Sequence, residues 1–239
     1  MSTTLLFDVD MTLLNSGGAG SRGMRLAFEQ LYGIEDGFAR VEFSGRTDQW
    51  ILRSALEHHG LLPEADPPAG SGQRFDEEMA RFQQVYYGLL PRTLAEADGR
   101  ALPGVPELLA ALAGRAGVRS GLATGNFREA AFMKLEHVGL GGQFHDGGFG
   151  DDAEDRSAMV AVAIERLANG AAARDVWVIG DTLLDIEAAR ANGARSLGVA
   201  TGPLSKAELL DAGADVALAD LSDTAVVLSA LLGGSFSAK

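Results

Sequence analysis

The sequence predicts an α/β fold, in which a parallel sheet is covered by helices on both faces and a smaller all-helical unit is inserted near the N-terminus. The apolar run at residues 4–7 is typical of a strand buried on both faces. From about residue 102, helical patterns alternate with short apolar runs, which is typical of parallel sheets. Between residues 33 and 97, apolar side chains recur only at helical spacing.

These patterns divide the chain into two units. At 239 residues, the chain is long enough for one core domain with a smaller inserted domain. We assign residues 1–15 and 98–239 to the core and residues 16–97 to the helical insert. Within the insert, the Pro- and Gly-rich stretch from Leu61 to Gly72 predicts a loop between helices.

Composition limits the chemistry and the partners. The chain has no cysteine, which excludes disulfides, thiolate metal sites and cysteine nucleophiles. A formal net charge of −13 argues against nucleic acid and anionic membranes as partners. The first four residues carry no signal-peptide pattern, and no apolar stretch approaches the length of a membrane span. We therefore expect a soluble, cytoplasmic protein.

The first strand ends in two acidic residues, Asp8 and Asp10. Alternate residues of a strand point to the same side, so both carboxylates are expected in the crevice beyond the carboxyl end of the sheet. Two close carboxylates raise one another's pKa and favour a cation such as Mg²⁺. One could attack phosphorus while the other moves a proton. The alternative is a simple strand-end turn; an EF-hand loop would need Gly at Leu13 and Glu at Ala19.

A second strand exit carries Thr124, Gly125 and Asn126, after the predicted strand at residues 118–123. Asn126 is a good N-cap for the following helix. Thr124 and the neighbouring amides would then form an anion site where the strand ends and the helix begins. A capped turn with no ligand is the alternative.

Further charged residues lie near later strand exits. Asp181 follows the predicted strand at residues 176–179, and Asp185 lies one helical turn later on the same side. Arg156 begins a helix, where a cation is unfavourable unless something such as a bound phosphate compensates for it. We expect Lys134 to lie about 12 to 15 Å along its helix and so not to reach the crevice.

Three glycines offer a competing interpretation. Gly18, Gly20 and Gly23 form the G-x-G-x-x-G pattern of dinucleotide-binding folds. In those folds the glycines follow the first strand directly, whereas here residues 8–17 intervene and two acids lie where pyrophosphate would pass. A dinucleotide-binding or non-catalytic Rossmann protein is therefore the least favoured alternative.

Taken together, these motifs resemble those of the haloacid dehalogenase-like (HAD) hydrolase superfamily over essentially the whole chain. The ordered set comprises Asp8-x-Asp10-x-Thr12, Thr124, Arg156 and Gly180-Asp181-x-x-x-Asp185. The resemblance implies a Rossmann-like core with a helical cap inserted after the first motif. The cap type and the residues after Gly180 are similar to the phosphoglycolate phosphatase and phosphoglucomutase branch. The resemblance implies a Mg²⁺-dependent phosphatase that acts on a small phosphorylated metabolite and is monomeric or homodimeric. A phosphomutase of the β-phosphoglucomutase type is the alternative.

The resemblance also implies a role for each matching residue. Asp8 would attack phosphorus to form an aspartyl-phosphate, and Asp10 would protonate the leaving alcohol and then activate water. Magnesium would be held by Asp8, the backbone carbonyl of Asp10 and Asp181, with Asp185 close behind. The transferring phosphate would be bound by Thr12, Thr124, Gly125, Asn126 and Arg156, and the cap residues Gly45, Arg46 and Thr47 would read the rest of the substrate.

Two residues depart from the family pattern. The family usually has Lys where this chain has Arg156, and Arg keeps the charge while adding a planar fork suited to phosphate. The family usually has Gly where this chain has Met11. A side chain at that position requires a different turn or narrows the site.

Overall fold

The computed structural model describes residues 2–62, 71–168, 170 and 172–233, and its centre is a parallel sheet. The strand order is β5-β4-β1-β6-β7-β8, and every neighbouring pair runs parallel. The α/β fold class is therefore confirmed. The strands, including a separate antiparallel pair β2 and β3, are β1 (Thr3–Phe7), β2 (Leu14–Asn15), β3 (Arg100–Ala101), β4 (Val118–Ala123), β5 (Gly147–Gly148), β6 (Val176–Gly180), β7 (Arg195–Val199) and β8 (Val216–Leu218).

Helices cover both faces of this sheet. Leu5 and Phe7 of β1 pack against one group of helices, α4, α5 and α9, whereas Leu6 faces α6 and α7. Among the residues that the structure describes, none of the helices is both long and apolar enough to cross a membrane. The helices are α1 (Ala19–Tyr32), α2 (Asp48–His58), α3 (Ser71–Ala95), α4 (Val105–Leu112), α5 (Arg128–His137), α6 (Arg156–Leu167), α7 (Leu183–Ala191), α8 (Lys206–Asp211) and α9 (Thr224–Leu232).

Helices α1, α2 and α3 form the cap, and they lie in the chain between β2 and β3, which pair with one another. The cap helices share an apolar cluster that includes Phe28, Phe38 and Phe82 and extends to Phe127 and Ala130 of the core. The loop predicted from Leu61 to Gly72 is shorter than expected, because Ser71 and Gly72 belong to α3. Residues 63–70 of that loop lie outside the described part of the chain. The domain boundaries given above stay a prediction.

The sheet order brings three strand exits together. Strand β1 lies between β4 and β6, so the chain crosses to opposite sides of β1. In open α/β sheets, ligands bind in the crevice at such a switch point, beyond the carboxyl ends of the strands. The segments after these strands, residues 8–12, 124–126 and 181–185, therefore meet at one edge of the sheet.

Candidate active site

Asp8 lies at the base of the crevice, against a buried arginine. Its backbone N–H donates to the carbonyl of Ile179 at 2.9 Å, which joins the ends of β1 and β6. Nη2 of Arg156 lies 3.1 Å from Oδ1 of Asp8, and its Nε donates to Oδ1 of Asp185 at 2.9 Å. Burial raises the pKa of Asp8 to about 6, although the charge of Arg156 opposes this shift. Two carboxylates thus compensate for the cation at the start of α6.

Three buried carboxylates form a candidate metal site. Oxygen atoms of Asp8, Asp181 and Asp185 all lie within 4.8 Å of one another. Burial, together with the charges of Asp8 and Asp185, raises the pKa of Asp181 to about 8. A hard divalent cation with oxygen ligands would offset this clustering of negative charge. The side chain of Asp10 does not belong to this group.

Asp10 faces a different set of partners. Its Oδ1 accepts from the hydroxyl of Ser16 at 3.0 Å, and its Oδ2 accepts from Nδ2 of Asn126 at 2.8 Å. Nζ of Lys134 lies 2.6 Å from the same Oδ2 atom. Burial opposes the ionisation of Asp10, but the charge and hydrogen bond of Lys134, with the other two donors, hold its pKa below the usual range.

Our expectation that Lys134 does not reach the crevice is therefore wrong. The N-cap of its helix, α5, is Phe127 rather than Asn126, so Lys134 is one residue closer to the helix start than expected. Long side chains on a helix also point back toward its N-terminus. Both effects bring the ammonium group to Asp10.

Asn126 is not the N-cap predicted for this helix; that position belongs to Phe127. The Phe127 N–H donates to Oδ2 of Asp48 at 2.8 Å, and the Arg128 N–H donates to Asp151. Protein carboxylates therefore occupy the first amides of α5, where we expected an anion. The Asn126 side chain is left to hold Asp10.

The predicted phosphate ligands do not all reach the cavity. Gly125, Asn126 and Arg156 line it. Thr12 and Thr124 are fully buried beside it and are not part of its lining. Thr12 donates to Oδ1 of Asp181 at 3.4 Å, and Thr124 accepts from Nδ2 of Asn126 at 2.8 Å. In this structure, both hydroxyls hold neighbouring site residues, and their contact with phosphate stays a prediction.

The cap loop lies directly against the core. Gly45 has φ 71°, and its carbonyl accepts from Nη1 of Arg156 at 3.1 Å. Arg46 lines the cavity, with its guanidinium 4.4 Å from the Trp50 ring centroid. Thr47, in contrast, lies outside the cavity: it caps α2 and donates to the carbonyl of Glu154 at 2.7 Å. Our prediction that Thr47 reads the substrate is not supported by this position.

Met11 lies in the turn after Asp10 and has a backbone conformation that is unusual for a residue with a side chain. Its φ is 58°, in the left-handed region that favours glycine. Its carbonyl accepts from the hydroxyl of Thr201, and the residue lines the cavity. Met11 thus forms part of the cavity wall, as expected of a residue that narrows the site, whereas the expectation of a different turn stays a prediction.

Two of the three glycines of the dinucleotide pattern, Gly20 and Gly23, have packing roles, whereas Gly18 provides the positive φ of 76° at the N-cap of α1. Gly18 precedes α1, which follows β2 rather than the long central strand. A Cβ on Gly20 would lie 2.8 Å from Nζ of Lys134, and a Cβ on Gly23 would lie 2.9 Å from the ring of Tyr86. Gly20 and Gly23 therefore let the first cap helix approach a core lysine and a neighbouring cap helix, and the three glycines do not form a turn at the end of β1.

The cavity between core and cap that is lined by Asp8 and Asp10 has a volume of about 410 Å³, large enough for a small metabolite. Sequence reasoning missed Asp48, Tyr86 and Lys134 in its wall. Their signals were weak, because an acid at a helix start, a tyrosine in an apolar stripe and a mid-helix lysine are common structural residues. The cap contributes, among others, Met24, Phe43, Gly45, Arg46, Asp48 and Tyr86.

Comparisons with known proteins agree with this geometry. The chain resembles a hydrolase from Pseudomonas syringae (24% identity, TM-score 0.66, covering 96% of this chain and 99% of that one). It also resembles CbbY from Rhodobacter sphaeroides in complex with phosphate (20%, TM-score 0.69, 93% and 96%). A putative β-phosphoglucomutase from Thermotoga maritima is similar as well (22%, TM-score 0.61, 97% and 100%). These identities show a shared fold.

A search among curated proteins found none that matches this chain. The model of the haloacid dehalogenase-like hydrolase family, however, matches residues 3–193, which include all the motifs described above. The chain therefore belongs to the haloacid dehalogenase-like hydrolase family.

Proposed function

We propose that this protein is a Mg²⁺-dependent phosphatase that hydrolyses a small phosphomonoester through an aspartyl-phosphate on Asp8. The observation that carries the proposal is the placement of Asp8. It lies between Arg156, at 3.1 Å, and the carboxylates of Asp181 and Asp185, and it opens on the cavity shared with the cap. A nucleophilic carboxylate beside a fixed cation is suited to phosphoryl transfer, in which charge builds up on the transferring oxygens.

In the first step, an Asp8 oxygen forms a bond to phosphorus while the bond from phosphorus to the ester oxygen breaks. Asp10 gives a proton to that departing oxygen. In the second step, Asp10 takes a proton from water, which attacks phosphorus and releases inorganic phosphate and the free Asp8 carboxylate.

Charge control in these steps comes from the residues around Asp8. Magnesium would be held by Asp8, the backbone carbonyl of Asp10 and Asp181, with Asp185 close behind, and it would supply positive charge to the transferring phosphoryl group. Arg156 holds Asp8 by an ion pair and is itself held by Asp185. This fixes the nucleophile and keeps a cation beside it.

Asp10 suits the proton-transfer role by position, because it lies in the cavity wall but outside the group of metal-binding carboxylates. Because its pKa is below the usual range, Asp10 is ionised in the protein without substrate. The ionised carboxylate is the form needed to activate water. For the first step it must take up a proton when substrate binds, since only the protonated form can protonate a leaving alcohol.

A phosphomutase is the second candidate, and the similarity to a putative β-phosphoglucomutase favours it. A mutase returns the phosphoryl group to a second hydroxyl of the sugar instead of to water. We also propose that the chain is part of the phosphoglycolate phosphatase and phosphoglucomutase branch of the family and acts on a small phosphorylated metabolite in the cytoplasm, as a monomer or homodimer.

The test is the release of inorganic phosphate from a panel of small phosphomonoesters, with Mg²⁺ and after chelation by EDTA. We expect phosphate release that depends on Mg²⁺ and returns when the metal is restored. The same reactions should be analysed for isomeric sugar phosphates. Isomer formation without phosphate release would select the mutase, and neither product from any substrate would contradict both candidates.

A further inference from the structure

Lys134 is a buried cation that the steps above do not use. Its side chain is 5% exposed, although it belongs to a core helix whose other charged residues are mostly at the surface. Its Nζ atom donates to Oδ2 of Asp10 at 2.6 Å and also to Oδ1 of Asn126. Arg156, not Lys134, is the cation beside Asp8. The lysine therefore has a role elsewhere in the site.

The contacts of Lys134 converge on Asp10 by two routes. One is the direct ion pair. The other passes through Asn126, whose Oδ1 accepts from Lys134 and whose Nδ2 donates both to Oδ2 of Asp10 and to Oγ1 of Thr124, each at 2.8 Å. Charge-assisted hydrogen bonds of this kind are shorter and stronger than neutral ones. Removing Lys134 would therefore release both Asp10 and the amide that holds it.

Gly20 of the cap gives an independent observation on the same group. A Cβ at this position would lie 2.8 Å from Nζ and 3.0 Å from Cε of Lys134. Gly20 has no positive φ, so its backbone conformation does not require glycine. Glycine within a helix costs about 1 kcal/mol relative to alanine. The absence of a side chain at Gly20 leaves room for the ammonium group of Lys134 between cap and core.

We propose that Lys134 is a positioning residue for Asp10, and that Gly20 leaves the space in which it does so. The proposal rests on the proposed function, in which Asp10 transfers protons to and from the reacting oxygens. Such a group must lie within hydrogen-bond reach of those oxygens, and a displacement of about 1 Å costs on the order of 10²-fold in rate. Lys134, with Asn126 and Ser16, fixes the carboxylate at that place.

The first test compares two leaving groups. An alkyl alcohol leaves poorly without a proton, whereas p-nitrophenol leaves without one, and kcat/KM reports only the steps up to formation of the aspartyl-phosphate. In Lys134→Met we expect kcat/KM to fall on the order of 10²-fold for an alkyl phosphate and by less than about 3-fold for p-nitrophenyl phosphate. For the aryl substrate, kcat and KM should fall together, because the water step is slowed.

The second test asks whether Lys134 acts through Asp10. The double variant Lys134→Met with Asp10→Asn should be no slower than Asp10→Asn alone. Gly20→Ala should reproduce the leaving-group pattern with the lysine still present, because it displaces the ammonium. Gly88→Ala is the matched control, since Gly88 lies on cap helix α3 with nothing within 4 Å of a Cβ; it should leave both substrates unchanged.

Several outcomes would overturn the inference while leaving the phosphatase proposal in place. They are wild-type kinetics in Lys134→Met, equal losses of kcat/KM on both substrates, or additive losses in the double variant. A crystal structure of Lys134→Met gives a readout that needs no turnover. We expect Asp10 to leave its contacts with Ser16 and Asn126 while Asp8 stays in place, and an unmoved Asp10 would contradict the proposal even if no substrate is found.

Discussion

Arg156 donates from Nη1 to the carbonyl oxygen of Gly45 at 3.1 Å, which joins the charged centre of the core to the loop of the cap. The same guanidinium contacts Asp8 at 3.1 Å and Asp185 at 2.9 Å through its other nitrogens. A lysine has one nitrogen at the end of a flexible chain and cannot present a planar fork to three partners. The arginine therefore combines fixing of the nucleophile with contact to the cap.

This geometry predicts different outcomes for two substitutions of Arg156. Arg156→Lys should retain most of kcat, because a cation remains beside Asp8, but its KM should rise because the bond to Gly45 is lost. Arg156→Ala should lose about 2 to 4 kcal/mol of transition-state stabilisation, typical of removing one charge-stabilising group. Steady-state kinetics of the two variants with the same substrate measure these changes in kcat and KM. Wild-type kinetics in the alanine variant would remove Arg156 from the mechanism.

Asp8→Asn should abolish turnover without loss of the fold. The two side chains have nearly the same shape, but the amide cannot form the covalent phosphoryl intermediate. We expect a loss on the order of 10³-fold or more in kcat. Phosphate release should be measured beside circular dichroism, which checks that the variant is folded. A folded variant with near-wild-type activity would exclude Asp8 as the nucleophile.

The strand exits could be predicted from the sequence because parallel sheets impose a simple rule. Asp8, Thr124 and Asp181 each follow a predicted strand, and the carboxyl ends of these parallel strands meet at one edge. Arg156 was found because a cation at a helix start is unusual. In these cases a local pattern determined the place of the residue.

The residues that were missed depend on side-chain reach and on contacts between cap and core. Lys134 reaches Asp10 because its helix begins one residue later than expected, because its side chain points back toward the helix start, and because Gly20 leaves room for it. In the sequence, Asp48 resembles an ordinary acidic residue at the start of α2. In the structure, its carboxylate accepts a hydrogen bond from the backbone N–H of Phe127 in the core. No local pattern carries that information, since the partners are separated by many residues in the chain.

Met11 makes a prediction about stability. At φ 58° a residue with a side chain is strained by about 1 to 2 kcal/mol, whereas glycine is not. Glycine also loses about 0.5 to 1 kcal/mol through greater backbone freedom in the unfolded chain. Met11→Gly should therefore raise the free energy of unfolding by up to about 1 kcal/mol. Met11→Ala is the control, because it shortens the side chain but keeps the strain; urea unfolding should rank glycine above alanine, and the reverse order would contradict the argument.

Asp48 predicts a pH dependence of stability. Burial raises its pKa to about 7; Lys134 opposes this shift, and Asp10 and Asp151 add to it. In the unfolded chain the group ionises near its ordinary value of 3.8. Between these values the folded protein binds more protons, so the contribution of Asp48 to stability falls as the pH rises from about 4 to about 7.

Asp48→Asn removes this titration and can still accept the hydrogen bond from Phe127. The free energy of unfolding of the variant minus that of the wild type should therefore increase from pH 4 to pH 7 and then level off. Urea unfolding at several pH values measures this difference, in which groups common to both proteins cancel. If the free energies of unfolding of the two proteins instead change in parallel across that range, the ionisation of Asp48 does not destabilise the folded protein.

We expect Arg46 of the cap to determine substrate specificity. The groups around the transferring phosphate bind what all phosphomonoesters share, so discrimination must come from the cap. Arg46 lines the cavity, stacks on Trp50 and lies 3.4 Å from Glu42. Its Nε atom is buried and has no hydrogen-bond partner among the described residues. We expect this side chain to bind a leaving group that carries a negative charge of its own, apart from the transferring phosphate.

If so, Arg46→Ala should lower kcat/KM for a phosphomonoester with an anionic leaving group by about 1.5 to 3 kcal/mol, the range for a charge-assisted hydrogen bond. An aryl phosphate with a neutral leaving group should be almost unaffected, because it makes no such contact. Arg92→Ala is the matched control, since that arginine is exposed and pairs with Glu96 on the surface. Equal losses on both substrates would assign Arg46 to the phosphoryl group or to cap closure, and no loss on either would make it a surface residue.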